Sequence, residues 1–293
     1  MKTVAYSSPF VPPEWIAAHG LHPHRLIPRA ATHIPRGVCP FAGAIVAEVL
    51  AGLDIDAMAL TTACDQMRYA AAMLETERAC PTVFLLNVPS TWQTAAVRRM
   101  YFNELQRLGR FLVTLGGTAP DAAALAASMR DYERQRKCAA ERSPGKGVPL
   151  AVLGGPMMDS ECDFFELVDQ AGGRVVLDAT DGAVRTQPRA FVADRVDREP
   201  LRELAEAYFD GIADVFRRPN HRFYDWLARE TADHGASGIV VRRYVWCDLW
   251  HAETPRIRER TGLPVLEIDV GADDVDVACR TRGRLEAFVE TLR

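Results

Sequence analysis

Three of the seven cysteines stand where thiolates can do chemistry. Cys64 and Cys247 are each followed by an aspartate, Asp65 and Asp248, and each Cys-Asp pair follows an apolar, strand-like run, 57–62 and 238–245. In open parallel sheets, ligands collect beyond the carboxyl ends of the strands. If the two halves of the chain face each other, the two thiols converge on one site. Cys39 lies just before a run of helical periodicity that starts near Phe41, and helix N-termini favour thiolates. Three thiolates from three loops suffice for a cubane iron–sulfur cluster with one open iron. An open iron can bind a substrate oxygen, whereas a fully ligated cluster only passes electrons. The compact Cys-x-x-Cys runs of ferredoxins are absent. Zinc is a competing use of the same thiols, without the paired spacing of most structural zinc sites. The bland alternative for any one cysteine is a buried small apolar side chain.

The other cysteines have weaker contexts. Cys80 sits in a turn before a strand, Cys138 in a connecting helix and Cys279 in the closing helix; a packed or solvent-facing thiol is expected for each. Cys162, at a helix start, is held in reserve. The odd count and wide spacing argue against a disulfide framework. His19, His22, His24 and His33 cluster without the spacing of a helical metal pair, so surface or loop positions are expected. His251, four residues after Cys247, is a candidate for the edge of the site, with a solvated side chain as the alternative. Gly145-Lys146 lacks the rest of a phosphate loop. Gly154-Gly155-Pro156 reads as a tight turn rather than a dinucleotide fingerprint, and no Gly-x-Ser-x-Gly elbow occurs.

Composition narrows the class. A net charge of −4 forces no basic face, so nucleic acid and anionic membranes are not expected partners. No window approaches the apolar length of a membrane span, and the N-terminus does not read as a signal peptide. A cytoplasmic protein is expected.

The elements that must position the cysteines alternate. Strand-like runs at 2–7, 57–62 and 82–88 are interleaved with helical runs at 13–18, 41–53 and 66–77, with a further extended piece at 24–28 and a long helix, capped by Ser90, to about residue 115. Gly116-Gly117 breaks the pattern, 121–141 reads as a connecting helix and 143–147 as a turn. Strands at 149–153, 174–177, 238–245 and 264–269 then alternate with helices at 164–171, 201–216, 221–234, 255–260 and 275–292. This alternation implies parallel sheets covered by helices. The expected fold is α/β, two Rossmann-like lobes joined by helical segments with the thiol site between them. The divisions are 1–117, 118–148 and 149–293.

These residues resemble a known family. The opening Tyr6-Ser7-Ser8-Pro9-Phe10-Val11-Pro12-Pro13-Glu14-Trp15, then Cys64-Asp65-Gln66-Met67-Arg68, Asn87-Val88-Pro89, Phe102-Asn103-Glu104-Leu105, Trp246-Cys247-Asp248, Pro264-Val265-Leu266-Glu267-Ile268-Asp269 and Arg282-Gly283-Arg284-Leu285-Glu286 are similar to motifs of the 2-hydroxyacyl-CoA dehydratase / benzoyl-CoA reductase subunits, of the 2-hydroxyglutaryl-CoA dehydratase D-component type. The resemblance spans nearly the whole chain. It implies one [4Fe-4S] cluster between two lobes, with three cysteine ligands that map onto Cys39, Cys64 and Cys247. It further implies low-oxygen metabolism, an acyl-CoA substrate, a homologous second subunit in a heterodimer or a homodimer, and a separate ATP-hydrolysing iron–sulfur activator that injects one electron. In the dehydratases that electron makes a ketyl radical of the thioester, which expels the 2-hydroxyl of an (R)-2-hydroxyacyl-CoA; a β-proton is then lost and the electron recycled. A benzoyl-CoA reductase-type subunit is the alternative within the family, and a non-catalytic electron-relay or cluster-free binding or assembly subunit is the alternative of another class. The chain departs from the family in being shorter in the middle and in carrying Thr180 where many members have cysteine. The resemblance leaves the catalytic base and CoA-binding residues unassigned.

Overall fold

The computed structural model describes residues 1–29, 37–77, 81–138, 146–161, 163–271 and 277–293. Its first half runs β1 (Thr3–Tyr6), α1 (Pro13–Ala18), β2 (His22–Arg25), α2 (Pro40–Leu50), β3 (Ala57–Thr61), α3 (Asp65–Thr76), β4 (Thr82–Leu86), α4 (Ala95–Thr114) and α5 (Ala122–Cys138). The second half runs β5 (Val148–Gly154), α6 (Phe164–Gln170), β6 (Gly173–Ala179), α7 (Ala193–Arg198), α8 (Pro200–Gly211), α9 (His221–Asp233), β7 (Gly238–Tyr244), α10 (Asp248–His251), α11 (Thr254–Thr261), β8 (Val265–Val270) and α12 (Val277–Thr291). Two four-stranded sheets result, ordered β2-β1-β3-β4 and β6-β5-β7-β8. Every pairing is parallel. The α/β, two-lobed architecture expected from the alternating pattern is therefore present.

The central strands β3 (AMALT) and β7 (GIVVRRY) are buried along their whole length, as strands covered by helices on both faces must be. Successive side chains point to opposite faces. Val4, Ala57 and Ala59 face one core with Trp15 and Ile16 of α1, Leu105 and Leu108 of α4, and Leu204 and Tyr208 of α8. Ala5, Met58 and Leu60 face another, which Leu150, Val152 and Val240 of the second sheet join. One continuous apolar core thus ties the two sheets together, and Phe41 stacks on Tyr244 across it, centroids 6.4 Å apart. Helix α8 follows the second sheet's β6 in sequence yet packs on the first sheet's helices. The other face of the second sheet packs Ile239 and Val241 against Phe223, Leu227 and Trp250.

Local departures have local causes. Helix α4 starts at Ala95, not after Ser90, because the Thr94 side chain accepts from Val97 N (3.3 Å). The Ser90 carbonyl instead accepts from Arg218 N at 2.7 Å. Helical periodicity over 201–216 overshoots: the helix ends at Gly211 and the chain turns extended at Ile212. A Cβ at Gly211 would lie 2.2 Å from Arg189 N, so the close approach requires glycine there. The β2 strand is shifted to His22–Arg25, and the short helices α7 and α10 carry too few turns for periodicity to reveal them. His19 is corrected from surface to core: it is buried, its Nδ1 donates to the Trp15 carbonyl (2.8 Å) and its ring meets Trp15 edge-on. His22 and His24 are exposed as expected. Among the described residues no helix is long and apolar enough to cross a membrane.

Candidate functional site

In each sheet the chain first moves to one side of its starting strand and then crosses to the other, so the strand order reverses between β1 and β3 and between β5 and β7. Such switch points open a crevice at the carboxyl ends of the strands. Here the crevices share a single cavity. Ser7 and Ser8 after β1, Ala63 and Cys64 after β3, Gly155 and Pro156 after β5, and Cys247 after β7 all line it, together with Cys39. Its volume is about 120 Å³, several times the ~10–15 Å³ that one ordered water needs.

The three thiols occupy equivalent local positions. Cys39, Cys64 and Cys247 are each the residue directly before a helix: α2, α3 and α10. Pro40, at the first helical position after Cys39, has no N–H to leave unsatisfied. Each sulfur meets backbone N–H groups of the turn it opens: Phe41 and Ala42 for Cys39, Gln66 and Met67 for Cys64, and Trp250 for Cys247. Burial nevertheless dominates. It pushes the Cys39 thiol up to about 11, the Cys247 thiol up to about 12, and Cys64 upward as well. The charge of Cys64 raises the Cys39 thiol further, and those of Cys39 and Cys64 raise the Cys247 thiol, so the three sulfurs share one electrostatic neighbourhood. Metal ligation requires thiolate, so loading this site with a cation would release protons. Asp65 and Asp248 are exposed first-turn residues that favour their helix N-termini.

The Cys39 loop is held from the Cys64 side. Gln66 accepts from Cys39 N at 2.8 Å and donates to the Gly37 carbonyl at 3.5 Å, so one carboxamide joins two of the three thiol-bearing segments. Replacing it by leucine keeps the bulk but strands the Cys39 amide. A loss of about 1–2 kcal/mol is expected in urea unfolding; an unchanged midpoint would show that the bridge contributes nothing.

Charged residues that sequence reasoning missed also line the cavity. Arg185 is buried and fully engaged, donating to the carbonyls of Ala179 (2.8 Å), Ala213 (2.9 Å) and Gly154 (3.1 Å) and to the Asp214 carboxylate (2.9 Å). Asp214 and Asp181 both reach the cavity wall. Asp181 pairs with Arg25 of the first sheet at 3.0 Å, a polar link between the lobes. Arg242 and Arg243 sit side by side in an otherwise apolar strand and are both buried. That Arg-Arg pair inside a buried run was the one available sequence signal. Asp181 and Asp214 lie in irregular loops, where no pattern marks them.

Burial pushes the Asp181 carboxyl above its usual 3.8, and the nearby Asp214 adds to this, while Arg25 and Arg185 pull the other way without cancelling it. A carboxyl raised in the folded state stabilises fully below its unfolded pKa, and that stability is lost as pH rises through the folded value. Asp181→Asn does not titrate. Its stability relative to the parent protein is therefore expected to improve as pH rises above about 4, measured by urea unfolding across a pH series. A difference independent of pH, or one of opposite slope, would contradict the burial argument.

Other sequence candidates fall outside the cavity wall. His251 is exposed on α10, and Cys279 is exposed on α12. Cys80, Cys162 and His33 lie outside the described residues. Thr180 is buried beside the cavity loop with its hydroxyl donating to Asp178 at 2.7 Å. Among the described residues, no three His, Cys, Asp or Glu side chains are disposed to hold a single metal ion.

The sequence matches the family described as 2-hydroxyglutaryl-CoA dehydratase, D-component, over residues 9–143 and 139–292. The chain belongs to this family. As a D-component family member it is a dehydratase-type subunit. Solved structures that resemble it include the Mn²⁺ complex of the SBP FpvC from Pseudomonas aeruginosa, at 12% identity and TM-score 0.29, covering 100% of this chain and 98% of that one. Another is a Mn-bound periplasmic metal binding protein from Candidatus Liberibacter asiaticus, at 11% identity, TM-score 0.27 and 100% coverage of both chains. At these TM-scores the likeness carries no argument about this D-component chain. No curated protein matches it.

The donor types on the cavity wall are compatible with a sulfur-ligated group of more than one metal atom. The wall offers three soft thiol donors, one per helix start, as sulfur-rich clusters require. It also presents a buried guanidinium, Arg242, paired with Glu161, whose Nη1 has no hydrogen-bond partner among the described residues.

Proposed function

We propose that this chain is the iron–sulfur subunit of a 2-hydroxyacyl-CoA dehydratase, with Cys39, Cys64 and Cys247 holding one [4Fe-4S] cluster. The supporting observation is that three thiols, distant in sequence, line one cavity between two parallel sheets. When bound, such a cluster supplies one low-potential electron and an open iron able to act as a Lewis acid.

The residues of this chain do the rest. Phe10, Phe41, Leu249 and Trp250 form an apolar wall that excludes water from the reacting thioester. The Ser7, Ser8 and Thr61 side chains offer polar contacts for the substrate's hydroxyl and carbonyl on the first-sheet side of the cavity. On the second-sheet side, Asp214 is fixed by Arg185 and by Phe216 N (2.9 Å), which leaves it oriented rather than free to rotate. In this reading the chain works with a homologous subunit and with an ATP-hydrolysing activator that delivers the electron, in the cytoplasm of a cell living at low oxygen.

The test is an anaerobic assay with the cognate partner subunit and activator. Water elimination from an (R)-2-hydroxyacyl-CoA is expected, with benzoyl-CoA left unchanged. Reduction of benzoyl-CoA, or no turnover of either thioester by an iron-loaded complex, would overturn the assignment.

A further inference from the structure

Three arginines line the thiol cavity, Arg185, Arg242 and Arg243, and two of them have all three guanidinium nitrogens engaged. Arg185 donates to three carbonyls and Asp214. Arg243 pairs with Glu267 and Asp269, both at 2.7 Å, and donates to the Thr254 hydroxyl at 3.2 Å. Arg242 differs. Its side chain is 2% exposed, its one ion-pair partner among the described residues is Glu161, and its Nη1 has no hydrogen-bond partner among them. Its guanidinium lies over the Tyr244 ring, 4.5 Å from the centroid, and Tyr244 in turn donates to the same Glu161. The stack and the Glu161 pair fix the guanidinium in place and leave Nη1 unused.

Glu161 answers part of this charge, and the donor left over at Nη1 is costly while buried unless a further acceptor meets it. We propose that Arg242 is the counter-charge of the cluster site and sets its reduction potential. The inference rests on the reading that Cys39, Cys64 and Cys247 hold a cubane. Three thiolates around such a core leave the assembly anionic, and one-electron reduction adds one further negative charge. A fixed cation in a low-dielectric wall favours the more negative, reduced state, and net charge with hydrogen bonding is what tunes cluster potentials. Glu161 opposes Arg242: as the partner of the guanidinium, it dilutes the positive field at the cavity.

The two residues therefore give shifts of opposite sign. The full-length protein is purified anaerobically and titrated with dithionite and redox mediators, the reduced cluster being followed by electron paramagnetic resonance alongside iron content. Arg242→Gln is expected to lower the midpoint potential, Arg242→Lys to lie between it and the parent, and Glu161→Gln to raise the midpoint. An iron-loaded Arg242→Gln variant with the parent's midpoint would overturn the proposal, as would a downward or absent shift in Glu161→Gln. If Arg242→Gln fails to fold or to hold iron, the sign of the Glu161→Gln shift decides alone. A parent protein that binds no iron at all would instead remove the cluster reading on which the inference stands.

Discussion

Cys64→Ser and Cys247→Ser are each expected to abolish the brown colour of the anaerobically purified protein, with iron falling from about four per chain, the content of a cubane, towards zero. Cys39→Ser does the same. The reason is chemical. A serine oxygen is a hard, weakly acidic donor that does not replace a soft thiolate on iron. The loss is out of proportion to the size of the change, because a site with three protein ligands has none to spare. Cys279→Ser and Cys138→Ser are expected to leave colour and iron content as in the parent, since Cys279 is exposed on α12 and Cys138 ends α5. If Cys138→Ser and Cys64→Ser behave alike, the ligand assignment is wrong.

Gly154→Ala has the largest expected effect on the fold. Gly154 ends β5, in register with Arg242 of β7, and an added Cβ would lie 2.2 Å from the Arg242 carbonyl oxygen and 3.3 Å from its carbonyl carbon. The obstacle is backbone, so no rotamer change relieves it. The strands must part at the carboxyl end of the second sheet, where Arg185 also holds the Gly154 carbonyl at 3.1 Å. A loss of about 3 kcal/mol is expected, at the upper end of overpacking costs, and iron content falls with it because β7 leads directly to Cys247. Urea unfolding of parent and variant measures the first effect, and iron quantification the second. A variant with parental stability would mean that β5 and β7 can separate without cost.

Much of this architecture was legible in the residues. The alternation of apolar strands with helical runs pointed to two parallel sheets, because strands buried on both faces read as apolar segments; Ala57–Thr61 is one, and Gly238–Tyr244 is one apart from Arg242 and Arg243. Cys64 and Cys247 were legible for the same reason, since a strand's end and a helix's start mark the place where a parallel sheet opens. The Cys39 placement came from a helical period alone. What sequence hid was tertiary. The packing of α8 on the first sheet's helices depends on the chain returning from the second sheet, and no local pattern encodes that return. Gln66 looked like an ordinary helix residue, and its role appears only when the Cys39 loop lies within 2.8 Å. Asp181 and Asp214 belong to loops whose meaning comes from Arg25 and Arg185, residues far away in the chain.

The most direct measurement is anomalous diffraction at the iron absorption edge from crystals grown without oxygen. The account predicts one strong peak in the cavity, bounded by the sulfurs of Cys39, Cys64 and Cys247 and resolvable into a four-iron group. No iron there, or a single tetrahedral zinc on those thiols, would contradict it.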